Sequence, residues 1–159
     1  MSREVERKYL VNNDDWRSQA GPGIFYRQGY LSTDPDRNVR VRIGDGKAVM
    51  TVKGKGEAAR DEFEWPIPIQ DAEQILSRIA IEPVIEKTRY EIRDGELKWQ
   101  IDEYEGENGG LVVAEVETEK DPREIPKPQW LGEDVTDDPR YSNASLVKRP
   151  YKQTEKAGR

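Results

Sequence analysis

Neither cysteine nor histidine occurs among the 159 residues. The first absence excludes disulfides and zinc–thiolate sites, and the second removes imidazole metal ligation and histidine-based general acid–base catalysis. Apolar residues are also scarce, at 34% against 36% charged, and no stretch approaches the ~20 apolar residues of a membrane span. The opening MSREVERKYLV is charged from Arg3 onward and has no apolar run of signal-peptide length. A soluble cytoplasmic protein is the reading. A net charge of -6 repels nucleic acid and anionic membrane on average, although 26 Lys and Arg residues leave room for a local basic pocket.

So polar a composition raises the question of disorder, which the patterning answers. Apolar and polar residues alternate through residues 3–11, 25–32, 38–44, 47–54, 60–69, 84–93, 97–104 and 111–118, and period-two alternation is the mark of half-buried strands. Gly44-Asp45-Gly46 and Asp94-Gly95 are tight-hairpin signals. Ala72, Ile75, Leu76 and Ile79 recur at helical spacing and predict one amphipathic helix from Asp71 to Ala80. Beyond residue 120 the chain turns proline-rich, and residues 130–138 read as loop. A short helix is expected over Asn143 to Val147. The length suits one domain, taken as 1–150, with 151–159 a frayed tail.

Strand geometry sets alternate side chains on one face. Glu4, Glu6 and Lys8 then share a face, as do Arg40 with Arg42, Thr51 with Lys53, Glu62 with Glu64, Lys87 with Arg89, and Glu115 with Glu117, while Asp102 opposes Ile101. An ordinary solvated face mixes signs or uses neutral residues, because like charges side by side cost energy. Like-signed pairs become tolerable where a ligand supplies the opposite charge. Carboxylate pairs suit hard divalent cations, whereas Arg and Lys suit phosphate oxygens. About eight antiparallel strands can close into a barrel wide enough for one small ligand. The expected fold is therefore mainly β with a few helices, an eight-stranded antiparallel β-barrel with a charged interior. Its apolar outer faces need cover from the 71–80 helix, the carboxyl-terminal segments or a second subunit, which leaves room for a homodimer. Trp65, Trp99 and Trp130 are expected to pack in a core.

These residues resemble the CYTH superfamily, the triphosphate tunnel metalloenzymes. The likeness begins at Glu4-Val5-Glu6-Arg7-Lys8 and continues through Gln28-Gly29-Tyr30-Leu31, Val39-Arg40-Val41-Arg42, Thr51-Val52-Lys53, Glu62-Phe63-Glu64 and Glu86-Lys87-Thr88-Arg89-Tyr90. It extends to Ile101-Asp102, Ala114-Glu115-Val116-Glu117 and the GEDVTDDPRY stretch, residues 132–141. The resemblance implies a tunnel in which Lys8, Arg40, Arg42, Lys53, Lys87 and Arg89 hold a triphosphate. It also implies that Glu4, Glu6, Glu62, Glu64, Asp102, Glu115 and Glu117 bind or orient Mg²⁺ or Mn²⁺, as two ions. Lys8 and Tyr30 are its catalytic candidates. The activity implied is metal-dependent hydrolysis of inorganic triphosphate to pyrophosphate and phosphate, a small-molecule substrate. The alternatives are a class IV-type adenylate cyclase, a thiamine or nucleoside triphosphatase on the same scaffold, and a non-catalytic polyphosphate-binding module.

Overall fold

The computed structural model describes residues 5–55, 61–119 and 121–151. Its body is nine strands: β1 (Val5–Val11), β2 (Ile24–Asp34), β3 (Arg37–Gly44), β4 (Lys47–Lys53), β5 (Glu62–Ile67), β6 (Ile81–Asp94), β7 (Leu97–Tyr104), β8 (Val112–Thr118) and β9 (Leu131–Asp134). Two α-helices accompany them, α1 (Ile69–Arg78) and α2 (Asn143–Lys148). The strands form one antiparallel sheet in the order β5-β4-β3-β2-β6-β7-β8-β1-β9. The hairpins fall where the glycines predict. Asp45 and Gly46 both take positive φ, 54° and 72°, as a two-residue turn matched to strand twist requires.

Curvature follows from who meets whom. β3 and β1 stand five places apart in the sheet, which on a flat surface at about 4.8 Å per strand would separate them by about 24 Å. Yet Arg40 and Arg42 of β3 and Glu6 of β1 line one cavity, so the sheet curls into a deep trough. The fold is mainly β and antiparallel with a charged concave face, as the alternation predicts. The closed eight-stranded barrel needs correction. A ninth strand, β9, pairs with β1 at Tyr9 and Val11, on the edge that closure onto β5 would need, and β5 and β9 end the order unpaired with each other among the described residues. Four residues with a single large apolar side chain, Leu131, gave no alternation from which to recognise β9.

The convex face is apolar and mostly covered. Tyr9, Trp99, Ile101 and Val116 point outward into a core closed by Trp16, Ile125 and Trp130, with Trp99 edge-on to Tyr9 at 5.9 Å and to Trp130 at 5.5 Å. Helix α1 starts and ends two residues before the expected span, entering through Pro68. Its Asp71 therefore lies in the first turn, where the helix dipole favours an acid, and it lays Ala72 and Leu76 on Val41 and Ala48. Trp99 and Trp130 are core residues, but Trp65 is 43% exposed and its strand neighbour Phe63 62%, because nothing covers the outer face of edge strand β5 among the described residues. Helix α2 instead enters the concave side. Its Leu146 and Val147 pack on Tyr30, Ile85, Tyr104 and Val113, an apolar floor beneath the charged residues. No helix among the described residues is long and apolar enough to cross a membrane. Of the tail expected over 151–159, Tyr151 packs beside the concave apolar cluster and donates its backbone N–H to Asn108 Oδ1 at 2.9 Å, so it is not frayed, and residues 152–159 lie outside the described residues.

Candidate functional site

One cavity of about 630 Å³ occupies the trough, lined by Glu6, Arg40, Arg42, Arg89, Glu115 and Glu117, with Glu96, Lys98 and Gln100 along the β6–β7 hairpin side. Register explains the gathering. Pairs that alternate on one face include Glu6 opposite Glu117 and Lys8 opposite Glu115, Arg89 opposite Asp102, and Gln28 opposite Arg42. Because side chains repeat every two residues, each pairing carries the charged face on to the next strand.

The wall made by β6 and β7 pairs its charges internally, two cations sharing one carboxylate. Asp102, 2% exposed, accepts from Lys87 Nζ at 3.0 Å and from both Arg89 Nε and Nη2 at 2.7 and 2.9 Å. Burial works to raise the Asp102 carboxyl, but the Lys87 charge and the Arg89 fork hold it below its ordinary value. Burial likewise draws the Lys87 ammonium down against the pull of Asp102. Tyr104, over which Lys87 lies at 5.7 Å, donates its hydroxyl to Asn143 Oδ1 at 2.8 Å, and burial followed by the Asp102 charge raises its phenol well above normal.

On the opposite walls like charges face one another. Burial, then the charge and hydrogen bonding of Glu115, push the Glu6 carboxyl up to about 7, with Lys8 opposing and Glu117 adding to the rise. Glu6 is nonetheless an exposed residue, so water and ligands reach it. Burial and the charge of Arg40 lower the Arg42 guanidinium, and Arg42 has no ion pair among the described residues. Arg40 reaches Thr51 at 3.4 Å, and Thr51 donates to Glu64 at 2.9 Å. Lys8 Nζ donates to the Tyr141 carbonyl at 3.2 Å and stands 3.6 Å from Glu115. Burial raises the Tyr30 phenol, with Arg40 the leading charge against it.

The residues singled out from the sequence thus divide by place. Glu6, Arg40, Arg42, Arg89, Glu115 and Glu117 line the cavity. Lys8 lies behind it beside Glu115, Lys87 and Asp102 form the buried wall, and Tyr30 stands on the apolar floor. Lys53 and Glu62 pair in register on the β4–β5 flank, on the same face as Thr51 and Glu64 but outside the cavity lining. Glu4 lies outside the described residues. Among the described residues no three carboxylates stand close enough to hold an ion by themselves. The donor chemistry still suits one, since Glu6 and Glu115 crowd each other and Glu117 adds a third like charge, which a hard cation relieves with water or anion oxygens completing its shell.

Several members of the face escape a search for charge alone. Gln28 is 1% exposed, and among the described residues neither its Oε1 nor its Nε2 has a hydrogen-bond partner of normal geometry. Tyr26 and Tyr104 share the face, as does Gln100 at the cavity rim, and the charged Lys98 beside it has no like-signed neighbour two residues away in its strand. Their signal was register: Tyr26 and Gln28 stand at even spacing from Tyr30.

Residues 2–151 match the CYTH domain. An inorganic triphosphatase of Acetivibrio thermocellus is 45% identical over 153 residues, spanning 96% of this chain and 97% of that protein. An inorganic triphosphatase of Nitrosomonas europaea is 36% identical over 150 residues, spanning 91% and 96%. A crystal structure of an inorganic triphosphatase superposes with a TM-score of 0.73 at 30% identity, over 92% of this chain and 95% of that one.

Proposed function

The chain belongs to the CYTH domain family, and from that membership we propose that it hydrolyses inorganic triphosphate to pyrophosphate and phosphate with Mg²⁺ or Mn²⁺, residues 1–150 acting as one domain. The observation that carries the proposal is the single cavity into which three arginines and three glutamates project from strands up to five places apart. Only a guest that brings both a polyanion and cations answers both signs at that density. Two relatives that are inorganic triphosphatases, aligned over nearly their whole lengths, favour this substrate over the cyclase and the thiamine or nucleoside triphosphate alternatives.

In this reading Arg40, Arg42 and Arg89 take the nonbridging oxygens, their planar forks suiting phosphate, with Lys53 joining from the flank. Lys87 adds a fixed positive charge from the buried wall, and Asp102, with both oxygens already committed to Lys87 and Arg89, orients those cations. Glu6, Glu115 and Glu117, together with Glu4, hold the metal, and Glu62 and Glu64 act on the far flank. Two ions are the expected complement. Such ions, when bound, neutralise phosphate charge and lower the pKa of bound water. Water oxygen forms a new bond to a terminal phosphorus while the anhydride P–O bond breaks, pyrophosphate leaves with the electron pair, and the proton lost by the attacking water passes to solvent or to the departing pyrophosphate oxygen. Arg and Lys side chains already aimed at the developing charge supply most of the acceleration, because they need not reorganise. Lys8 and Tyr30 stand nearest the floor, as candidates for steadying the leaving oxygen.

Phosphate release from tripolyphosphate is expected with Mg²⁺ or Mn²⁺ and is abolished by excess chelator. Equal turnover with the chelator present would remove the metal from the mechanism, and no turnover of tripolyphosphate beside rapid turnover of ATP would replace the substrate.

A further inference from the structure

Arg42 and Arg89 reach the cavity from strands that flank β2 on its two sides. Between them stands Tyr26. The Arg42 guanidinium lies over its ring at 5.0 Å from the centroid, and the Arg89 guanidinium at 5.9 Å. The ring has room there only because its cross-strand partner is Gly44: a Cβ at Gly44 would fall 2.1 Å from Tyr26 Cδ1 and 2.4 Å from Cε1, far inside contact distance. Gly44 has an ordinary backbone conformation, since it is absent from the positive-φ glycines. Space for the ring, not chain flexibility, is what a larger residue would remove.

Two like charges facing one cavity repel, and one of them, Arg42, has no carboxylate partner among the described residues. An aromatic face between them carries negative quadrupole density toward each. A guanidinium that lies over a ring is held through its face and keeps its in-plane N–H donors free. A carboxylate counterion would instead consume the same donors that an incoming anion needs, as Asp102 does with one edge of Arg89. We propose that Tyr26 is a positioning residue which holds Arg42 and Arg89 together as an anion fork, and that Gly44 is its required partner. The assignment rests on the reading of the cavity as a triphosphate site.

The test compares Tyr26→Phe, Tyr26→Leu and Gly44→Ala in the full chain, using tripolyphosphate both as substrate with Mg²⁺ and as ligand in calorimetry under chelator. The Phe variant keeps the ring face, so its KM and Kd should stay within about twofold of the parent. The Leu variant should raise KM and Kd about tenfold with kcat within about threefold. The Gly44→Ala variant should reproduce that pattern by displacing the ring, and the double variant Tyr26→Leu/Gly44→Ala should be no worse than Tyr26→Leu alone. Parental KM and Kd in a folded Leu variant would overturn the proposal, as would a Phe variant as impaired as Leu. Should Leu fail to fold, parental binding by folded Gly44→Ala would overturn it equally. A parent that binds tripolyphosphate but does not cleave it defeats the hydrolase reading alone, and the Kd comparison still decides the role of Tyr26. A parent that neither cleaves tripolyphosphate with Mg²⁺ nor binds it under chelator sinks both, and a parent that cleaves it but binds only with metal leaves the KM comparison to decide the role of Tyr26.

Discussion

Two walls of the same trough use the same kinds of side chain and do opposite things with them. On the β6–β7 wall, Lys87, Arg89 and Asp102 satisfy one another within hydrogen-bonding distance, and two of the three are buried to 2%. On the walls of β1, β8 and β3, Glu6 faces Glu115 and Glu117 while Arg42 stands near Arg40 and Arg89. Lys87 and Asp102 are held as architecture, while Arg89 belongs to both sets, paired to Asp102 along one edge and facing the cavity. Like charges facing each other cost the free protein stability, and under the proposed reading the substrate and its cations offset that cost.

The contrast is broken most sharply at Asp102. Asp102→Ala leaves Lys87 buried without its anion, so urea unfolding should show a loss of about 3–5 kcal/mol. A loss under about 1 kcal/mol would mean that the wall is not a structural unit. Arg42→Ala is the converse. Removing a crowded cation should leave the unfolding free energy within about 0.5 kcal/mol of the parent, while kcat/KM for tripolyphosphate falls about 100-fold, near 2.7 kcal/mol.

Smaller, and of definite sign, is the pH effect at Glu6. Its carboxyl is raised from an ordinary 4.5 to about 7, so the folded chain holds this proton more tightly than the unfolded chain does. The favourable contribution is full below about 4.5 and is lost as pH rises through about 7. In chelated protein Glu6→Gln should therefore melt higher than the parent at pH 8 and equally at pH 4, by about 1 kcal/mol or less, because water screens a side chain this exposed. Cation binding needs the ionised form, so metal affinity should rise with pH across the same window, and protons should be released on binding. The smallest effect belongs to the exposed face of β5. Phe63→Ser should change stability by about 0.5 kcal/mol or less and leave tripolyphosphate turnover unaltered, since the ring points away from the cavity.

The same contrast marks what the sequence could and could not convey. Period two assigned Glu6, Arg40, Arg42, Arg89, Glu115 and Glu117 to one face, and the curled sheet brings them to one cavity, because strand geometry leaves alternate residues no other choice. Which charges neutralise one another is a matter of register, and a single strand does not carry its partner's register. Asp102 therefore read with the acids that bind or orient a metal, with nothing in its own strand to show that Lys87 and Arg89 meet both its oxygens. Trp65 and Trp99 carry equal hydrophobic signal, yet only Trp99 lies under a covering layer of Trp16, Ile125 and Trp130. Strand β9 was hidden for another reason, since an edge strand of four residues is held by backbone pairing to β1 and needs no apolar alternation. Tyr26, being neutral, passed unnoticed in a search for charge, and Gln28 entered only within the Gln28-Gly29-Tyr30-Leu31 stretch.

A crystal structure of the protein soaked with tripolyphosphate and Mg²⁺ tests the central claim most directly. Phosphate oxygens within hydrogen-bonding distance of Arg42 and Arg89, with the metal on Glu6 or Glu115, is the predicted result. The anion seated on the convex surface, with none bound in the trough, would contradict it.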